Sequence, residues 1–331
     1  MTMMPYPLLN RRIPGRGRRA HDHLPPPEPE DEGQSLFEKV VTGLMALITL
    51  YAAIIAVLEN QVGVESTMAL ARSQSQAIAT FGELTRADEQ ATHSLDVYAA
   101  WREAGQQLAQ GESSANAAAL QGTETEVKVL QSAADRWQEV QTRLAKLTPL
   151  LSDEYNGNYT RYYETTHRDA YLALERQQGA YREASDWGVK DEAYIANLTL
   201  VTAILFLLGV SVTMTNWLKH VFLGTGLILT VASMVWTERT YLAPVHITPP
   251  EAMEHFVNGE ILSNIAYTAE QDQESLVSQA LAEFDAALAL DDQYADAYQW
   301  KGMTQLQTRL LGADPARNAE AAASMEQAIA L

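Results

Sequence analysis

No cysteine occurs in the 331-residue chain, which removes disulfides, zinc-thiolate sites, iron-sulfur ligation and thiol nucleophiles together. A glycine-rich phosphate loop, an HExxH pair and a G-x-S-x-G elbow are also missing, and the seven histidines are scattered rather than grouped with carboxylates. Paired acids such as Asp153 with Glu154, or Asp291 with Asp292, stand at expected turns, where capping and solvation account for them. The sequence therefore predicts no enzyme, no catalytic residue, no cofactor and no metal site. Basic residues are scarce: the formal net charge is -19, and after Tyr241 14 acidic residues face only Lys301, Arg309 and Arg317. Such a surface repels phosphates, so nucleic acid is excluded as a partner.

Three long stretches lack charge. Val40 to Leu58 carries none, and at about 1.5 Å per residue it nearly crosses a hydrocarbon layer of about 30 Å. Glu59, Asn60 and Gln61 follow in place of a small-x-small cleavage site, so the segment reads as a retained anchor. Uncharged runs also cover Tyr194 to Leu218 and Val221 to Thr237, with only Lys219 and His220 between them, which predicts a tight hairpin of two spans. The expected spans are thus 36–58, 194–218 and 221–237. Within them Thr42, Asn197, Ser211, Ser233 and similar residues can hydrogen-bond between helices, and Gly43, Gly209, Gly224 and Gly226 suit close packing.

The only basic run, Arg11, Arg12, Arg16, Arg18 and Arg19, precedes the first span, and Lys219 lies in the hairpin turn. The positive-inside rule puts both in the cytoplasm. A multi-pass protein in the lipid bilayer then follows, with 59–193 and everything after Tyr241 on the outer face. The tail 1–35 is rich in Arg, Pro and acids and poor in apolar residues, which predicts disorder.

Proline is nearly absent from 59–193, where Ala, Gln, Glu and Arg favour long helices. Leu130, Ala133, Trp137, Val140, Leu144, Leu147 and Leu151 alternate spacings of three and four, an a/d stripe that Pro149 cuts short. Partner stripes are Met68, Ala71, Ser75 and Ile78, and Ala170, Leu174, Gln177, Tyr181 and Ala184. Turns are expected at Gly111 to Asn116 and Ser152 to Asn158. The expectation is a helical bundle or coiled-coil-like hairpin whose first and last helices run into the first and second spans. Tyr155, Tyr159, Tyr162 and Tyr163, with Tyr171, form the densest aromatic cluster. They read either as a partner-contacting tip or as packing at the bundle's end.

Beyond a Pro-containing linker at 241–250 the pattern repeats. Gly259 aligns with Gly302, Ala280 with Ala321, Phe284 with Met325 and Ala287 with Ala328, with offsets of 43 at the glycines and 41 later. Tyr298 and Gly302 stand four apart, Ala280, Phe284 and Ala287 give small-aromatic-small spacing, and ALALDDQYADAY joins the two units. On these residues 251–331 resembles the tetratricopeptide repeat family, although its repeats exceed the usual 34 residues and Asp292 replaces a customary proline. The resemblance implies paired helices and a groove that docks a protein partner, and it implies either further chain after Leu331 or a partner covering that end.

The predicted fold is all-α: three transmembrane helices, a helical hairpin domain and a C-terminal repeat segment. The expected function is a membrane-anchored scaffold that recruits a protein partner and helps assemble a membrane complex, with homo-oligomerisation allowed. The alternative is a signal-transducing or channel-like oligomer.

Overall fold

A computed structural model describes residues 36–214, 217–269, 272–307 and 315–331. The tail 1–35, expected to be disordered, and residues 215–216, 270–271 and 308–314 lie outside the described residues. Those that are described form an all-helical chain: α1 (Leu36–Leu120), α2 (Glu124–Ala145), α3 (Tyr159–Thr166), α4 (Arg168–Thr213), α5 (Leu218–Leu242), α6 (Pro250–Thr268), α7 (Gln273–Leu290), α8 (Ala295–Gln307) and α9 (Pro315–Ala330). Three of these, α1, α4 and α5, are long and apolar enough to cross a membrane.

No proline interrupts 36–120, and α1 runs unbroken for 85 residues. It ends at Leu120, two residues before Gly122, whose φ of +75° favours glycine. The turn expected at Gly111 to Asn116 therefore falls later. A Cβ on Gly111 would lie 3.5 Å from the Ala134 methyl, so this glycine serves close approach of α2 and not chain reversal. The second reversal lies within Ser152 to Asn158, where Asn156 and Gly157 take positive φ and Asn158 caps α3 by accepting from the Arg161 amide at 2.9 Å.

α4 packs back along the first half of α1, and α2 along the second. On α1 the buried residues Val41, Ile48, Ile55, Val62 and Ala69 recur every seven residues, followed by Ser73, Thr80, Ala87 and Ser94 at the same interval. Tyr194, Val201 and Leu208 answer them on α4, with Asn197, Ile204 and Ser211 alongside. A seven-residue repeat keeps one helix face on a neighbour over many turns. The stripe Met68, Ala71, Ser75 and Ile78 is not on this face; all four are exposed. Ala170 and Ala184 are buried, whereas Tyr181 is exposed.

The α4–α5 reversal is shifted from the expected position. α4 stops at Thr213, and α5 begins at Leu218, so Lys219 and His220 occupy its first turn. There the Lys219 ammonium lies 4.9 Å over the Phe37 ring, and His220 meets Phe37 edge to face. Gly226 receives Leu208, whose side chain would lie 2.9 Å from an added Cβ, but Gly43 and Gly224 face open space. Most hydroxyls in these helices bond their own backbone, such as Thr199 to Ile195 and Thr230 to Gly226. One polar group joins three helices: Ser233 donates to Asn197 Oδ1 at 2.6 Å, Asn197 donates to the Ser233 carbonyl at 3.2 Å and also to Thr237, and Tyr51 hydrogen-bonds Thr237.

Candidate functional site

The C-terminal helices form two hairpins, α6 with α7 and α8 with α9. Each closes over a glycine. The Phe284 ring sits where a Cβ on Gly259 would come within 2.7 Å, and Met325 Cγ would be 2.8 Å from a Cβ on Gly302, with the Ala321 carbonyl at 3.1 Å. Ala280, Phe284 and Ala287 are wholly buried in one core with Phe256, Val257 and Tyr294. Tyr298 is only partly buried; Tyr294, one turn earlier, fills the core in its place. Ser263 and Thr304 share a buried hydrogen bond of 2.8 Å that joins α6 to α8.

A network of charges sets these hairpins against α4. Arg182 donates to Glu175 at 2.6 Å on its own helix and to Asp296 on α8 at 2.8 Å, while its guanidinium stands 5.7 Å over the Tyr294 ring. Glu175 is buried, and burial raises its carboxyl above the usual range despite Tyr294 and Arg182 nearby. The Tyr294 hydroxyl lies near Glu175 without a well-aligned hydrogen bond. Among the described residues Glu260 has no comparable cation: burial, with Glu175, Glu164 and Asp296 around it, pushes its carboxyl up to about 7. Arg168 donates to Asn258 at 2.9 Å, and Met253 presses on Gly179, where an added Cβ would lie 2.6 Å from its terminal methyl. The linker is tied as well. The His246 amide donates to Asp186 on α4 at 3.1 Å, and its Nε2 lies 2.8 Å from Asp291 at the end of α7.

Two concavities flank the hairpins. A groove of about 500 Å³ runs between Glu274, Ser278 and Leu281 of α7 and Gln305 and Glu320 of the second hairpin. A wider cleft of about 870 Å³ separates the 153–158 turn from the end of α6 and the start of α7. Of the expected tyrosines Tyr155 lines this cleft, and the cluster as a whole packs inward. Tyr162 is buried and bonds Ser94 at 2.7 Å; Tyr155 meets it edge to face; Tyr159 packs beside Tyr163. Tyr163 stacks on buried His167, which pairs with Asp88 at 3.0 Å. Burial, with Asp88 next, pushes the Tyr163 phenol up.

On α2, Leu130 and Leu144 are partly buried, whereas Trp137 and Val140 are each 39% exposed. Leu147 is exposed beyond the helix end. The face of α2 that meets α1 is centred on Ala134, rotated from the expected stripe. Sequence reading also passed over Arg182, Glu175 and Asp296. A signal was available: two opposite charges seven residues apart bracket Gly179 in an otherwise weakly patterned helix. Among the described residues, no three histidines or carboxylates converge as metal ligands would. Comparison with protein-family models, with curated proteins and with solved structures found no match.

Proposed function

We propose that the chain is a three-span membrane scaffold whose C-terminal hairpins, read as tetratricopeptide-like repeats, dock a protein partner and hold it at a fixed place beside the long-helix stalk. The observation that carries this reading is the clamp on the hairpins. Arg182, His246 and the Met253–Gly179 contact tie them to α4, while the groove beside Ser278, Leu281 and Glu320 stays open. A docking module gains from being held rigidly, because less orientational freedom is lost when a partner binds. The acidic surface favours a basic segment of that partner.

The N-terminus lies in the cytoplasm in this reading, with 59–193 and the hairpins outside. Its support is the positive-inside rule together with the contact of Lys219 with Phe37, which brings the start of α5 to the starting end of α1, where the Arg run leads in.

The test is a photo-crosslinking residue at Ser278 in the full chain in native membranes, compared with one at exposed Asp292. A discrete adduct at Ser278 that Glu320→Lys weakens is the expected result. No adduct, or the same adducts at Asp292, would remove the docking function.

A second reading, a signal-transducing or channel-like oligomer, draws on the unbroken course of α1 and α4 from the stalk into the apolar segments. Such rods carry displacement along their axes. Conductance, or stalk-dependent movement of the α4–α5 hairpin in a purified bilayer sample, separates it from passive docking.

A further inference from the structure

α1 carries a second seven-residue repeat on the side turned away from α4. Gln61, Met68 and Ser75 occupy one position of each heptad, and Val64, Ala71 and Ile78 another, with spacings alternating between three and four. All six are exposed, Val64 at 49%, Met68 at 48% and Ile78 at 78%. The same register runs back without a break through Val57, Ile54, Leu50 and Leu47, which are exposed in the apolar segment. It runs forward through Gly82, which has nothing within 4 Å of its Cβ position, to Thr85. It then changes character, for Glu89, Asp96 and Glu103 fill the following positions.

This contrast excludes two simple accounts. Lipid explains exposed apolar residues as far as Leu58, yet the uncharged stripe continues from Gln61 to Thr85, about 36 Å further along the helix. Solvation would admit charge throughout, as it does after Thr85. Since α1 is already held to α4 by a seven-residue repeat, the second stripe keeps a constant bearing and does not wind around the helix.

We infer that this stripe is the seam of a parallel homodimer, in which the α1 of a second copy packs against the first in register from the apolar segment to Thr85. The inference rests on the membrane reading for its orientation, because two copies anchored through the same span can meet only in parallel. An a/d stripe on one helix is self-complementary about a twofold axis along the seam. The flanking residues agree with the parallel register. There Phe81 of one copy comes beside Arg86 of the other, and Thr67 beside Arg72, so no like charges meet along the seam. Gln61 and Ser75 at the seam supply the polar layers that fix register.

The absence of native cysteine makes the test direct. Single substitutions Ala71→Cys and Ile78→Cys, with Ala77→Cys on the same exposed stretch but off the seam, are oxidised in the full chain at low protein density in liposomes. Seam positions are expected to cross-link about tenfold more than Ala77→Cys, because only they approach within disulfide distance. Met68→Glu with Ile78→Glu, both at exposed sites and so harmless to the monomer's packing, is expected to shift the particle from two copies to one by subunit counting, with helicity unchanged. Equal cross-linking at Ala77→Cys, preferential cross-linking through α4 at Val189→Cys, or a monomer in the unsubstituted chain would each overturn the seam. Resistance to alkaline extraction is read in the same samples. A chain that stays in the membrane as a monomer refutes the dimer alone, and one that is extracted refutes the membrane reading.

Discussion

Arg182 on α4 donates to Asp296 on α8 at 2.8 Å while also holding the buried Glu175 on its own helix at 2.6 Å. One guanidinium thus couples the stalk to the second hairpin. Removing it strands Glu175 without its cation. Breaking a fully buried pair costs about 3–5 kcal/mol, but Arg182 remains 35% exposed, so Arg182→Met is expected to cost about 2 kcal/mol. Thermal unfolding in detergent measures this, and limited proteolysis should cut the 243–249 linker earlier. Glu175→Gln in the same chain should recover part of the loss.

The Gly259–Phe284 contact predicts an asymmetry between the two hairpins. Gly259→Ala drives a methyl into a fully buried ring, at about 1–3 kcal/mol of overpacking against about 1 kcal/mol gained in helix propensity. Gly302→Ala meets Met325, whose unbranched side chain can yield, although the Ala321 carbonyl cannot. Chemical denaturation should therefore show the greater loss for Gly259→Ala, and Phe284→Leu added to it should cost less than the two changes summed.

The junction should weaken as pH rises. Glu260 is pushed up to about 7 in the fold, above its unfolded value, and Glu164 and Glu175 are shifted in the same direction. A carboxyl with a raised folded pKa binds its proton more tightly when folded. Its stabilisation is complete below the unfolded pKa and is lost as pH climbs through 7. The melting temperature should fall between pH 5 and pH 8, and Glu260→Gln should flatten that slope. A slope unchanged by the substitution would remove Glu260 as its source.

In the apolar segments, Asn197 bonds Ser233 and Thr237, and Tyr51 reaches Thr237 from α1. Asn197→Leu should destabilise the α4–α5 pairing by about 0.6–2 kcal/mol, the span of hydrogen bonds between helices in lipid. Protease protection of the segment 214–217 in graded detergent would register it. Thr199→Val, which loses only a bond to its own helix, should change little.

Much was legible from composition and periodicity. Uncharged length located three apolar helices, lack of proline foretold the long course of α1, and repeated small and aromatic residues marked Gly259 and Gly302, and likewise Phe284 and Met325, as corresponding positions. Helix ends were less legible. Gly111 looks like a turn until Ala134 is seen against it, and Lys219 looks like a loop until it stands in the first turn of α5. The Tyr155–Tyr163 cluster was evident in the sequence, but not that Tyr162 would turn inward to Ser94.

What the sequence determined by itself is the set of things that depend on neighbours along the chain: helical character, apolar length, the absence of thiol chemistry, and the stripe of Met68, Ala71, Ser75 and Ile78 on α1. Which face of α1 would meet α4 was decided only in three dimensions. Met68, Ala71, Ser75 and Ile78 offer the more apolar pattern, yet Ala69, Ser73, Thr80 and Ala87 are the residues buried. Small side chains let two long helices approach closely, and dispersion contacts accumulate with that approach. The Arg182 network was decided the same way, since Glu175, Arg182 and Asp296 become one electrostatic unit only when α8 is folded back onto α4.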